Sequence, residues 1–158
     1  MKLYMKQKVF SIGDKYTIKD EFENDRFQVK GEVFSIGHRL HIFDANGTEV
    51  AYVQQKVLSF MPKYFIYING VEVAQIVKEF TFFKQSYRIE GTSMLLQGDV
   101  FQHNYSLTDA NNIIMNVTKT WFSWGDSFLL DIYDDTKELF CLCVVLALDS
   151  VIDSERRN

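Results

Sequence analysis

Basic residues in the middle of the chain offer the chemistry that this sequence favours most, which is contact with an anionic surface. Residues 54 to 88 contain five basic and two acidic side chains, although the whole chain has a formal net charge of -4. Each Lys or Arg near an anionic membrane contributes about 1 kcal/mol of attraction. The aromatic residues nearby, such as Phe60 and Phe80, would add apolar contact. The candidate binding residues are Lys56, Lys63, Lys78, Lys84 and Arg88.

Two tryptophans close to each other offer a second kind of contact. Trp121 continues the face of Ile113, Met115 and Val117 along a candidate strand, and we therefore expect it in the core. Trp124 falls at a turn, where an amphipathic ring would be exposed to a lipid or a protein partner. Trp124 is thus added to the candidate binding residues. The alternative for the whole set is that the lysines are solvated positions on strands and the aromatic residues form the core.

Residue types that bind metals or catalyse reactions occur without the necessary spacing. The acidic cluster Asp131, Asp134, Asp135 and Glu138 could hold a hard cation, but a polar turn that caps a helix is the better interpretation. The carboxylates between positions 20 and 25 have nothing to fix their separation, so we interpret them as a solvated loop. His38 and His41 would point to opposite faces of one strand. Nucleophile elbows, Walker A loops and Cys-x-x-Cys pairs are missing from the sequence. The sequence thus predicts no catalysis, no metal and no cofactor.

Length and composition indicate one globular domain over residues 1 to 158. Hydrophobic residues make up 47% of the chain, which is enough for a sizeable core. The sequence pI of about 5.4 disfavours a nucleic-acid partner. Cys141 and Cys143 are interpreted as buried thiols, and lysines interrupt the N-terminus before an apolar signal region can form, so we predict a cytoplasmic protein. The longest apolar stretch, Leu139 to Leu148, is about half of a transmembrane span.

Most of the chain alternates apolar and polar residues with the period of a β-strand. Asn46-Gly47 and Asn69-Gly70 are strong hairpin signals, because both residues of a type I′ turn need a positive φ. With one proline in the chain, little interrupts strand pairing, and this favours a closed or nearly closed antiparallel sheet. The candidate strands are Leu3 to Ser11, Arg26 to Lys30, Arg39 to Ile42, Glu49 to Leu58, Tyr64 to Ile68, Val71 to Phe80, Ser86 to Glu90, Val100 to Leu107, Ile113 to Phe122 and Phe128 to Ile132.

The segment from Glu138 onward breaks this alternation, because it is apolar on every side. Asp135 followed by Glu138 is similar to a capping box, and Arg156 and Arg157 suit the negative end of a helix dipole. A helix without a polar face must be enclosed, and the preceding strands would form the enclosure. We therefore predict a closed antiparallel β-barrel around a hydrophobic C-terminal helix at about 137 to 153, with a buried final strand as the alternative.

A faint repeat divides the chain into two similar units. Gly31 to Phe34, Leu40 and Asp44 to Asn46 are echoed by Gly98 to Phe101, Leu107 and Asp109 to Asn111. In this alignment Tyr64 to Ile68 corresponds to Phe128 to Ile132, and the strand from Val71 corresponds to the terminal helix. Chance similarity between β-rich segments is the alternative.

The order of these features resembles the LURP-one-related family. The resemblance extends over essentially the whole chain, and it rests on the hairpin in Phe43 to Gly47, the segment Trp121 to Asp126 and the terminal helix Leu139 to Asp153. The family is related in fold to the tubby C-terminal domain and to the phospholipid scramblases. The resemblance implies a barrel of about twelve antiparallel strands threaded by the C-terminal helix.

For function, the resemblance implies less than it does for the fold, because many LURP-one-related proteins have no assigned activity. Tubby domains bind phosphoinositides through basic residues on the barrel, and scramblases are linked to calcium-dependent lipid movement. The acidic segment before the helix lacks the glycine and the spaced oxygen ligands of an EF-hand loop, and the proline-rich arm and cysteine cluster of scramblases are missing here. We therefore expect a non-enzymatic module that binds anionic lipid or a membrane surface. The alternatives are a protein-interaction scaffold without lipid binding, and a small-ligand carrier or enzyme, which would need a vacant barrel interior.

Overall fold

The computed structural model describes residues 1–6, 15–32, 35–80, 86–123 and 125–157. The described part of the chain forms twelve strands followed by a single turn of 3-10 helix, Asp135–Lys137, and one α-helix, α1, Glu138–Arg157. The strands are β1 Lys2–Lys6, β2 Lys15–Asp20, β3 Asp25–Gly31, β4 Arg39–Asp44, β5 Glu49–Gln55, β6 Lys63–Ile68, β7 Val71–Glu79, β8 Ser86–Glu90, β9 Met94–Asp99, β10 Asn104–Asp109, β11 Asn112–Phe122 and β12 Gly125–Ile132.

All twelve strands form one antiparallel sheet that curves into a nearly closed barrel. The order across the sheet is β8-β7-β6-β5-β4-β3-β2-β1-β12-β11-β10-β9. The first and last strands of this order are consecutive in the chain, yet no ladder between them is formed by the described residues. The predicted β-barrel with an enclosed helix is therefore confirmed, and its closure is interrupted by a seam between β8 and β9.

Two strands, β2 and β9, were not predicted from the sequence, and one predicted strand begins too early. The pattern of β2 contains only one fully buried residue, Ile18, and β9 contains Gly98 and ends on exposed polar positions. The predicted strand Val100 to Leu107 is wrong over its first four residues, which form a turn, because His103 adopts a positive φ of 51°. The strand that follows this turn starts at Asn104.

The core of the barrel is the terminal helix. Every residue from Cys141 to Leu148 is fully excluded from solvent, which confirms that the apolar segment is an enclosed helix. The helix continues to Arg157, four residues beyond the predicted end. Its capping differs from the prediction, because Asp134 caps the preceding 3-10 turn by accepting from the Thr136 backbone N–H at 3.1 Å.

Polar contacts fix the helix at several points, two of which lie at its first residue and at Asp149. At its first residue, the Glu138 carboxylate accepts two hydrogen bonds of 2.8 Å from the Arg26 guanidinium. Further along, the Asp149 Oδ1 atom lies 3.0 Å from Nε2 of His103, whose ring is buried and stacks on Phe128 at 3.8 Å. Because a buried charge needs a partner, these contacts define how far the helix enters the barrel and how it is rotated.

A charge in the middle of the helix should prevent folding. We predict that Val145→Asp abolishes soluble expression, because Val145 is fully buried and no partner is arranged for a carboxylate there. Val145→Ala removes only two methyl groups, and we expect soluble protein with a lower melting temperature. Soluble Val145→Asp protein with an unchanged melting temperature would show that the helix is not enclosed.

The close approach of β9 to β10 yields a second prediction. A Cβ atom on Gly98 would lie 2.6 Å from the Asn104 carbonyl oxygen and 2.8 Å from the Tyr105 Cα atom, and φ is +113°. We expect Gly98→Ala to lower the free energy of unfolding by roughly 2 to 5 kcal/mol, from backbone strain and overpacking together. Gly125→Ala is the matched control, because φ there is +109° and nothing lies within 4 Å of its Cβ position. Equal losses for the two variants in urea unfolding would contradict the steric argument.

Candidate functional site

The two ends of the barrel differ in the length of their connections. Because the sheet is an antiparallel meander, successive connections alternate between the ends. At one end, here called the long-loop end, β1, β3, β5, β7, β9 and β11 terminate, and the fully described connections there are 56–62 and 100–103. The other, the short-turn end, carries the tight turns such as 69–70 and 110–111, and α1 enters the barrel there. Loops on a rigid scaffold are the usual place for binding residues, so the long-loop end is the first candidate surface.

Large apolar side chains project from the long-loop end into solvent. Leu58 and Phe60 are each 99% exposed, and Ile36 and Phe80 are also largely exposed. Leu58 adopts a positive φ of 62°, which is strained for a residue with a bulky side chain. Fully exposed apolar residues held by strained backbone are unfavourable in an isolated protein. Their cost is offset if these residues contact something apolar.

Trp121 is a further exposed residue of the long-loop end, and its predicted place in the core is wrong. Its side chain is 76% exposed, although Met115 and Val117 on the same strand are fully buried. The reason is length, because β11 is the longest strand, with 11 residues, and its end projects beyond the core. Trp124, the other tryptophan of this hairpin, lies outside the described residues.

Charge is distributed unequally between the two halves of the barrel. Among the described side chains, the long-loop half carries ten cations against six carboxylates, and the short-turn half carries four cations against thirteen carboxylates. The ten cations are Lys6, Lys15, Lys30, Arg39, Lys56, Lys63, Lys78, Arg88, Lys119 and Arg156. The short-turn end also exposes Phe22, but within an acidic environment. In the described part of the chain, exposed apolar residues and excess positive charge coincide only at the long-loop end.

The basic residues predicted from the sequence are partly neutralised. Lys78 forms an ion pair with Glu155 of the helix, and its side chain is only 15% exposed. Lys63 lies 3.6 Å from Glu90. Arg88 lies between Glu79 and Glu90, at 3.0 and 2.5 Å.

These residues thus do not form one unpaired basic stripe. Lys56 is exposed at the start of the β5–β6 loop, and it forms no ion pair with any described residue. Lys84 lies outside the described residues.

Two other lysines, which were not among the predicted binding residues, form a contact point for an anion. Lys15 of β2 and Lys30 of β3 are directly opposite each other in the ladder, and both are exposed. Like charges at this position repel each other, which favours an anion between them. The two positions are 15 residues apart in the sequence, so only the strand register brings them together. The pair was not predicted because β2 was not among the predicted strands.

The acidic cluster acts structurally in this arrangement. Glu138 is paired with Arg26, and Asp134 accepts hydrogen bonds from both the side chain and the backbone of Thr136. The hydrogen bond from the Thr136 side chain lowers the pKa of Asp134. No group of three or more His, Cys, Asp or Glu residues among those described is arranged to hold a metal ion.

The thiols and histidines are likewise engaged in the structure. Burial raises the pKa of Cys141 to about 12, so the thiol stays protonated and is a poor nucleophile. Cys143 is fully buried beside it. His41 lies between the carboxylates of Glu32 and Glu49, and His103 is paired with Asp149.

Among the described residues, no helix has the length and the apolar character that a membrane span needs.

Comparison with known proteins agrees with this architecture. An uncharacterised protein of Bacillus subtilis, YxjI, is 38% identical over 152 residues, which are 96% of this chain and 94% of that protein. An X-ray structure of a protein from Arabidopsis thaliana superimposes with a TM-score of 0.62 at 15% identity, over 95% of this chain and 90% of that one, and thus supports the fold. The LURP-one-related family matches residues 1–149. The resemblance noted in the sequence is therefore confirmed, and the chain belongs to the LURP-one-related family.

Proposed function

We propose that this protein is a non-enzymatic module that binds an anionic membrane surface through its long-loop end. The observation that carries the proposal is the coincidence of fully exposed apolar side chains, above all Leu58 and Phe60, with an excess of cations on the same end. Interfacial proteins combine the same two features, because apolar residues enter the acyl boundary and basic residues attract the headgroups. The buried, unpaired thiols support a cytoplasmic location, where such a surface would face an anionic leaflet.

The magnitudes are sufficient for reversible binding. Full burial of a Leu or Phe side chain contributes about 1.5 to 3 kcal/mol. Each lysine near an anionic surface adds about 1 kcal/mol. Leu58, Phe60 and the exposed Lys15, Lys30 and Lys56 together account for weak but measurable association, and for an orientation in which the acidic short-turn end points away from the membrane.

A protein-interaction scaffold is the second candidate. The neutralisation of Lys63, Lys78 and Arg88 by carboxylates favours it, because a partner protein would use the exposed apolar loops without needing a basic surface. The two candidates differ in how binding depends on salt. Binding by the membrane module should be sensitive to salt, because only this module requires anionic lipid.

Removal of the exposed apolar residues should weaken membrane binding. We expect the unmodified protein to co-sediment with anionic vesicles of phosphatidylglycerol and to bind neutral vesicles much more weakly. The double variant Leu58→Ser/Phe60→Ser should bind the anionic vesicles at least tenfold more weakly, because about 1.4 kcal/mol or more of apolar burial is lost. Phe22→Ser is the control, since Phe22 is also exposed but lies at the short-turn end. If the unmodified protein does not sediment with either vesicle type, the membrane proposal is wrong and the scaffold comes first.

The position of the lysines should affect membrane binding more than the net charge of the protein does. Lys15→Glu/Lys30→Glu and Lys2→Glu/Lys137→Glu change the net charge equally, but at opposite ends of the barrel. We predict that the first pair abolishes sedimentation with anionic vesicles at low salt and that the second pair leaves most of it intact. Equal losses for the two variants would indicate a net-charge effect and would contradict binding through the long-loop end. Addition of Ca²⁺ should not increase binding, and calcium dependence would instead implicate the acidic turn at Asp134 and Asp135.

A further inference from the structure

The outer wall of the barrel carries an aromatic surface that the membrane proposal does not use. Tyr52 of β5 lies directly opposite His41 of β4 in one ladder and opposite Tyr67 of β6 in the next. The Tyr52 and Tyr67 ring centroids are 6.0 Å apart and the rings are inclined by 40°, and the centroids of His41 and Tyr52 are 4.8 Å apart with an inclination of 45°. The three rings thus form one row across the outer face of β4, β5 and β6.

A pocket of about 420 Å³ lies over this row of rings. It is lined by His41, Glu49, Tyr52, Tyr67 and the hairpin Asn69–Gly70, together with neighbouring β5 residues. The three aromatic residues that line it, His41, Tyr52 and Tyr67, are half-buried, so part of each side chain remains accessible from solvent. The pocket is large enough for a small organic molecule, and it combines apolar walls with one carboxylate.

The charge at this pocket is fixed by an imidazole between two carboxylates. His41 Nε2 lies 2.8 Å from Glu32 Oε1, and His41 Nδ1 lies 3.1 Å from Glu49 Oε1. One imidazole carries at most one positive charge, so this group of three is negative whether the ring is neutral or protonated. Arg39 compensates Glu32 at its other oxygen, at 3.4 Å, but Arg39 does not line the pocket. The carboxylate that faces a ligand is therefore that of Glu49.

We propose that this pocket binds a small molecule carrying a quaternary ammonium group. The electron-rich faces of Tyr52 and Tyr67 attract a diffuse, weakly hydrated cation, and such aromatic surfaces are the usual recognition element for quaternary ammonium ligands. Glu49 at the rim adds the opposite charge and disfavours anionic ligands. The pocket lies on the wall of the barrel, away from the apolar loops of the long-loop end, and the inference stands independently of the membrane proposal.

Choline and its neutral isostere 3,3-dimethylbutan-1-ol provide the direct test, because they share a shape and differ in charge. We expect choline to shift the amide resonances of residues around Tyr52 and Tyr67 in a titration followed by two-dimensional NMR. The neutral isostere should bind at least tenfold more weakly. Equal binding of the two ligands, or choline shifts that do not map to this pocket, would overturn the proposal.

Variants test the contribution of the tyrosine rings to choline binding separately from that of the Glu49 carboxylate. Tyr52→Leu/Tyr67→Leu should weaken choline binding about tenfold, which corresponds to about 1.4 kcal/mol. Glu49→Gln keeps the size of the side chain and should weaken binding several-fold without changing the melting temperature, since Glu49 is exposed. Tyr133→Leu removes an exposed tyrosine elsewhere and is the control. If the double tyrosine variant does not fold, Glu49→Gln and the comparison of the two ligands on the unmodified protein decide the question, and unchanged binding by Glu49→Gln would contradict the role of its charge.

Discussion

The burial of a helix that has no polar face is the constraint on which the rest of this structure depends. Residues 141 to 148 are fully excluded from solvent, and a single helix of this kind needs protein on every side. One curved antiparallel sheet of twelve strands provides that enclosure and leaves only the β8–β9 seam without strand pairing in the described chain. Two polar side chains of the helix, those of Asp149 and Ser150, are paired with His103 and with the Leu146 carbonyl.

Because the interior of the barrel is occupied, any binding function must use the surface. Lipocalin-like barrels hold ligands in their interior, whereas here the helix fills that space with side chains. The remaining places are the outer wall, where the pocket over Tyr52 lies, and the long-loop end, where strands end and apolar residues project. Because the two ends carry unequal charge, the charge distribution is asymmetric along the barrel, which a net charge of -4 does not reveal.

The sequence contains much of the fold because the strongest local signals agree with the global arrangement. Alternation and the content of β-branched and aromatic residues predicted every strand except β2 and β9, Asn69-Gly70 marked a hairpin, and the apolar run identified the helix. Prediction from local patterning failed where a feature depends on contacts between residues that are far apart in the chain. The pairing of Lys78 with Glu155 joins residues far apart in the chain, and Lys15 meets Lys30 only through the register of a strand that local patterning did not identify. The exposure of Trp121 depends on where the core ends, which the period of the strand does not encode.

The course of the chain after β12 determines where the wall of the barrel is open. The chain order β3 to β7 is paralleled by β9 to β12 followed by α1, so a helix follows β12 where a strand, β7, follows β6. Because α1 enters the interior and does not pair with β12, one edge of β12 is left open. β1 pairs with that edge, and β2 joins β1 to β3. The sheet is thus continuous from β3 to β12 through the N-terminal strands, whereas β8 and β9, at its two ends, form no ladder between their described residues. The helix therefore fills the barrel, and the strand order places the opening of its wall between β8 and β9.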